Sequence, residues 1–174
     1  MVIKFIQKEL HEINQGHIYQ HSLNSNTGII TAYRGELDVP TNEKRNSDLE
    51  TMIRSSGFGY ITVAGFYTEN PGRDNERKVQ EKSFVITSNK LDGGKLRNFL
   101  IKMGGQYNQD SVLYKDASTA DAVLIGTTHG RWPGKHTEVS AGKFSVKNIG
   151  ECYIKMRNYK TFVFESAKPP SISS

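Results

Sequence analysis

Two apolar stripes at helical spacing are each flanked by short β-branched runs, and that order limits the folds open to this chain. Leu49, Met52 and Ile53 form the first stripe. Leu96, Phe99, Leu100 and Met103 form the second, with the i, i+3, i+4, i+7 spacing of one helix face. The runs around them are GIITAYR at 28–34, YITVAGFY at 60–67, VQEKSFVIT at 79–87, SVLYK at 111–115 and AVLIGT at 122–127. From residue 28 onward the order reads β-α-β-β-α-β followed by further strands. A helix with one apolar stripe must bury it against a sheet, and two such helices fit on one face of an antiparallel sheet. The expected class is therefore α+β, with a ferredoxin-like βαββαβ core.

The ends of these elements are set by local chemistry. Ile3, Ile6, Leu10 and Ile13 predict an amphipathic N-terminal helix over 2–14, ending near Gly16. Val39-Pro40 reads as a chain break, with Thr41 or Asn42 capping the first core helix. Asp92 reads as the cap of the second, and Gly104-Gly105 as its end. The stretch HGRWPGKHTEVSAGK at 129–143 reads as one long loop. Short additional C-terminal antiparallel strands follow at 144–147, 152–157 and 161–165, then an exposed tail. A chain of 174 residues suits one domain over 1–174. Within it, 1–27 is an N-terminal helix and connection, 28–127 the core, 128–165 loop and strands, and 166–174 the tail.

Composition excludes several classes. Lys plus Arg outnumber Asp plus Glu by 23 to 18, an excess that permits polyanion contact without requiring it. The single cysteine, Cys152, leaves no internal disulfide and no cysteine zinc cluster. The N-terminus has neither the pattern of a signal peptide nor a run approaching the roughly 20 apolar residues of a membrane span. No membrane partner is expected, and host cytoplasm is the expected location, with a virion as the alternative. The chain has no phosphate-loop, nucleophile-elbow or H-E-x-x-H pattern, and its Gly57-Phe58-Gly59 precedes a strand instead of a helix. Neither a metal nor a cofactor is expected.

Four clusters remain as candidate sites. Glu81 and Ser83 share a strand face by parity, with Glu69 on the adjoining strand. Paired carboxylates there could serve acid–base work, or else stand at solvated strand ends. Gln109, with Asp110 and Ser111, enters a strand, either as a ligand shelf or as a backbone cap. His129, Arg131, Trp132, Lys135 and His136 share one loop, where Trp can stack and Arg can fork to phosphate. Arg34 stands at a strand end near Asn42 and Arg45 of the next helix, either as an anion site or as an ion pair with Glu36.

The segments ITAYRGE, the Asn42-led helix, ITVAGFYTEN, EKSFVI, YNQDSVLYKD and ADAVLIGT together resemble a loose family of small proteins of bacteria and their phages. The likeness covers roughly residues 28–127. It implies a viral or mobile-element accessory protein and no particular activity. The resulting expectation is a protein that acts by binding and not by catalysis, on nucleic acid, a nucleotide-like ligand or a host protein. Arg131, Trp132, Lys135, His136, Arg34, Ser83 and Gln109 would make the contacts. The alternatives are a virion or assembly protein that contacts itself or a capsid, and a phosphoester or nucleotide hydrolase using Glu69, Glu81 and His129.

Overall fold

The computed structural model describes residues 2–5, 24–69, 77–146, 153–155 and 161–164. Among these residues the chain is α+β, with two helices over an antiparallel sheet. Strand β1 is Val2–Phe5 and β2 is Asn26–Ile30; helix α1 is Val39–Ser55. Strands β3, Gly59–Glu69, and β4, Arg77–Ser88, precede helix α2, Lys95–Gln106. Then come β5 (Ser111–Lys115), β6 (Asp121–Gly126), β7 (Glu138–Val146), β8 (Tyr153–Lys155) and β9 (Thr161–Phe164). The sheet runs β3-β4-β2-β5-β6-β7, and β9, β8 and β1 complete a closed ring back to β3. Every pairing is antiparallel except that of β1 with β8.

The expected N-terminal helix is not seen where it was to begin. Val2–Phe5 pairs with Phe66 to Val63 of β3 as a strand. Two adjacent β-branched residues and an open strand edge favour a ladder over a helix's first turn, where four amides go unpaired. The rest of the expected helix lies outside the described residues.

Pro40 opens α1 instead of breaking the chain. Asp38 is the cap, its carboxylate accepting from the Thr41 amide at 2.7 Å, and proline fills the first turn, where no N–H is needed. The cap position of α2 is Gly94, not Asp92; Asp92 stands two residues before it and accepts from the amides of Gly94 at 2.8 Å and Leu96 at 3.2 Å. Burial opposes ionisation of Asp92, but the bonds from Ser88, Leu96 and Gly94 outweigh it and hold the carboxyl below its ordinary range. A depressed carboxyl stabilises the fold above its unfolded-state pKa near 3.9, and that contribution is lost as pH falls through the lower folded value. Asp92→Ala should lower stability by about 1 kcal/mol at pH 7. It should also flatten the acid limb of the unfolding curve, measured by urea titration between pH 2 and 7.

Helix α2 continues through Gly104-Gly105 to Gln106. A side chain at Gly104 would stand 2.6 Å from Thr127 Cγ2 and 2.8 Å from Val112 Cγ1, so this glycine lets the helix lie close on β5 and the end of β6. Part of the expected loop at 129–143 is strand: from Glu138 the chain pairs with β6.

The core between helices and sheet comprises Ile30, Leu49, Ile53, Phe84, Ile86, Leu96, Leu100 and Met103 among others. Side chains alternate along a strand, so the neighbours Ile29, Val85 and Leu113, also buried, face the other way. Glu81 and Ser83 share the parity of Val85 and so belong to that second, enclosed face. At Gly28 an added methyl would collide with the Leu100 side chain, which is fully buried and has nowhere to turn. Gly28→Ala should therefore cost about 1–3 kcal/mol in denaturant unfolding.

Candidate functional site at the open end of the sheet

The ladder of β2 stops at Ile30, and residues 31–34 continue as an extended segment that does not pair as a strand. Side-chain bonds tie this segment to both neighbours. Thr31 Oγ1 donates to Lys82 O at 2.7 Å on the β4 side, and Gln109 Nε2 donates to Tyr33 O at 3.0 Å on the β5 side. Thr127 Oγ1 in turn donates to Gln109 O. Glu81, Tyr33, Arg34, Gln109, Asp110 and the 127–137 loop thus gather at one end of the sheet, although they come from four separate stretches of sequence.

Two charged groupings meet there. Tyr33 donates its hydroxyl to Glu43 of α1, and the other Glu43 oxygen lies 3.7 Å from Lys82 Nζ. Burial, the Glu43 bond and the charges of Glu43 and Glu81 push the Tyr33 hydroxyl well above its ordinary pKa. Glu81 itself is only 8% exposed. In the second grouping Arg34, 9% exposed, bonds Glu36 at 2.6 Å, the carbonyl of Asn108, and Asp110 at 3.4 Å. Arg131 reaches the other oxygen of Asp110 at 3.6 Å. The Glu36 carboxyl is held below its usual range by its own backbone amide and by the Arg34 guanidinium. Thr128 Oγ1 is enclosed and has no hydrogen-bond partner among the described residues.

Of the sequence candidates, Arg34, Gln109 and Arg131 converge on the 107–110 turn. Arg34 takes the ion pair with Glu36. Ser83 is fully buried on β4. Trp132 is 45% exposed on the outer loop, beside exposed Lys135 and His136. Glu81 and His129 share the sheet end but stand three strand spacings apart, on the order of 15 Å, so they do not meet at one atom. Glu69 has the same strand parity as Gly65, the ladder partner of Glu81, but lies four positions further along, about 13 Å. Among the described residues no three His, Cys, Asp or Glu side chains group to hold a metal ion, and no helix is long and apolar enough to cross a membrane.

A broad open pocket of about 1220 Å³ lies at the opposite end, lined by Phe58, Thr87, Lys95 and Asp116 among others. It contains none of the sequence candidates. Its one carboxylate, Asp116, already accepts from Ser118 N at 2.8 Å and Ser118 Oγ at 2.6 Å. Arg34, Gln109 and Arg131 lie instead at the Tyr33 end.

Sequence reasoning passed over Tyr33, Glu43 and Asn46. The signal was present for one of them: Asn42 and Asn46 stand at i and i+4 in line with Leu49 and Ile53, two amides on a buried stripe.

The domain is antiparallel α+β, with carboxylates, a tyrosine and arginines gathered at one sheet end. The family model for the S-adenosylmethionine lyase family matches residues 28–165, and the chain belongs to that family. Among solved structures, a phage SAM lyase in complex with S-methyl-5'-thioadenosine aligns at TM-score 0.33 and 16% identity, covering 67% of this chain and 86% of that one. No curated protein matches the chain. The family match overturns the expectation of a binding accessory protein, and with it the virion and phosphoester-hydrolase alternatives. The physical reason they looked open is that isolated basic loops and strand-end carboxylates are common to all three. Only the pattern of the whole chain separates them.

Proposed function

We propose that this protein is an enzyme that cleaves S-adenosylmethionine at a carbon–sulfur bond and releases S-methyl-5'-thioadenosine. The observation that carries this reading is the family match over residues 28–165. In the sulfonium substrate the leaving group departs as a neutral thioether, taking the electron pair of the Cγ–S bond. The substrate's own carboxylate oxygen can form the new bond to Cγ and close a five-membered lactone. Atoms and charge balance without water, metal or an external nucleophile.

Such a reaction needs an enclosure that tolerates cations and folds the substrate on itself. Glu81, on the enclosed face of β4, would face the positive end of the ligand. Tyr33 and Glu43 support that anionic side, and Arg131, exposed beside Asp110, suits the substrate carboxylate. Gln109, Arg34 and Ser83 shape the same end. The strand order β5-β2-β4-β3, with both helices on one face, supports a ferredoxin-like reading of the core that displays this site. The sequence likeness to phage proteins supports a phage or mobile-element origin, and the cytoplasm of the host is where the substrate is found.

Purified protein incubated with S-adenosylmethionine alone should consume it and yield S-methyl-5'-thioadenosine mole for mole, followed by liquid chromatography and mass spectrometry. Substrate left intact by stoichiometric protein would overturn the proposal. The four-carbon product separates the lactone from the unsaturated amino acid that proton removal would give. Glu81→Gln should lower kcat/KM by about tenfold, roughly 1.4 kcal/mol.

A further inference from the structure

We infer that Asn42 and Arg45, with Asn46, are positioning residues of the lyase site: they hold the backbone of residues 32–34 and so aim Tyr33 and Arg34. This rests on the lyase reading. In an antiparallel ladder a residue exchanges its N–H and its C=O with one partner. Ala32 and Arg34 make that exchange with helix side chains instead. The Ala32 amide donates to Asn46 Oδ1 at 2.8 Å, and Arg45 Nε donates to Ala32 O at 2.8 Å. The Arg34 amide donates to Asn42 Oδ1 at 2.9 Å, and Asn42 Nδ2 donates back to Arg34 O at 2.9 Å. Residues 42, 45 and 46 lie within one turn on one side of α1, so a single helix face replaces a strand.

The same turn reaches the functional groups themselves. Glu43 accepts from the Tyr33 hydroxyl, and the second arm of Arg45, Nη2, donates to Tyr107 O at 2.6 Å. Arg45 also lies over the Tyr107 ring, 5.5 Å from its centroid. One guanidinium therefore joins the segment that carries Tyr33 to the turn that carries Gln109 and Asp110. A strand partner would set residues 33 and 34 by the pleat alone; this arrangement sets them relative to α1 and to the turn at once.

Arg45→Lys keeps the charge but loses the fork that spans two carbonyls. It should lower kcat/KM for S-adenosylmethionine about tenfold or more, mainly in kcat, with near-ultraviolet circular dichroism unchanged. Asn42→Ala is the second variant, should the first not fold. In wild type the Arg34 amide should exchange slowly with solvent although it lies outside the ladder, and in Asn42→Ala it should exchange about tenfold faster, read by NMR. A folded Arg45→Lys or Asn42→Ala protein with kcat/KM within about twofold of wild type overturns the positioning role. So does a wild-type Arg34 amide that exchanges freely. Wild-type protein that leaves the substrate intact overturns the lyase reading itself, and slow amide exchange in that protein would show that the clamp exists without that use.

Discussion

Gly126→Ala should destabilise the protein by about 3 kcal/mol, the upper end of the range for overpacking. A methyl at this position would run into the carbonyl group of Gly134. The colliding atoms are main chain, so no rotamer change relieves the contact. The loop is also tied down at this point. The Gly126 amide donates to Thr137 O at 2.9 Å, the His136 amide to Gly126 O at 2.9 Å, and the Thr137 amide to Gly134 O at 3.0 Å. Moving Gly134 away would break that closure and carry Arg131 from Asp110. In a chain of this size the loss corresponds to a fall of roughly 6–12 °C in Tm. Calorimetry and urea unfolding would measure it, and a change below about 0.5 kcal/mol, the size of an ordinary surface substitution, would show that the loop does not pack as described.

Asn46→Ala should cost about 2–3 kcal/mol and is the second large effect. The side chain is fully buried and bridges Ala32 N at 2.8 Å and Lys82 O at 2.7 Å. The two partners do not suffer equally. Lys82 O also accepts from Thr31 Oγ1 at 2.7 Å, so it keeps a donor. The Ala32 amide is left enclosed without its acceptor, and an orphaned buried donor costs about 1–3 kcal/mol before the vacated volume is counted. Arg34→Ala makes a useful contrast. Its carboxylate partners Glu36 and Asp110 are 59% and 41% exposed and can turn to water, so that loss should be about 1–2 kcal/mol despite the greater number of bonds. If Asn46→Ala proves the milder of the two in urea unfolding, burial is not what ranks these bonds.

Local patterns made much of the scaffold readable. The stripes Leu49-Met52-Ile53 and Leu96-Phe99-Leu100-Met103 do lie on helices, because each satisfies its own backbone and needs only a single face to bury. The N-terminal segment shows the limit: Ile3, Ile6, Leu10 and Ile13 carry helical spacing, yet Val2–Phe5 joins β3, since an open strand edge is invisible in a linear pattern. Pro40 was misread for a related reason. A proline that interrupts a helix and one that begins it differ only in whether a cap such as Asp38 stands before it.

The function was less legible than the fold. Chemistry that uses a metal, a thiol or a phosphate loop leaves spaced residues in the chain. Cleavage of a sulfonium needs none of these, because its leaving group is already neutral. The sequence by itself determined the two helices, the strands around them and the cluster of polar residues within those strands, since these follow from periodicity and short-range capping. Tertiary structure alone decided that Tyr33 and Arg34 leave the ladder, that Asn42, Arg45 and Asn46 take the place of a strand beside them, and that Glu81, Gln109 and Arg131 share one end of the sheet. Those relations join residues as far apart as Tyr33 and Gln109, 76 positions, and a hydrogen bond across that distance is specified by packing, with no trace in the spacing of either partner's neighbours.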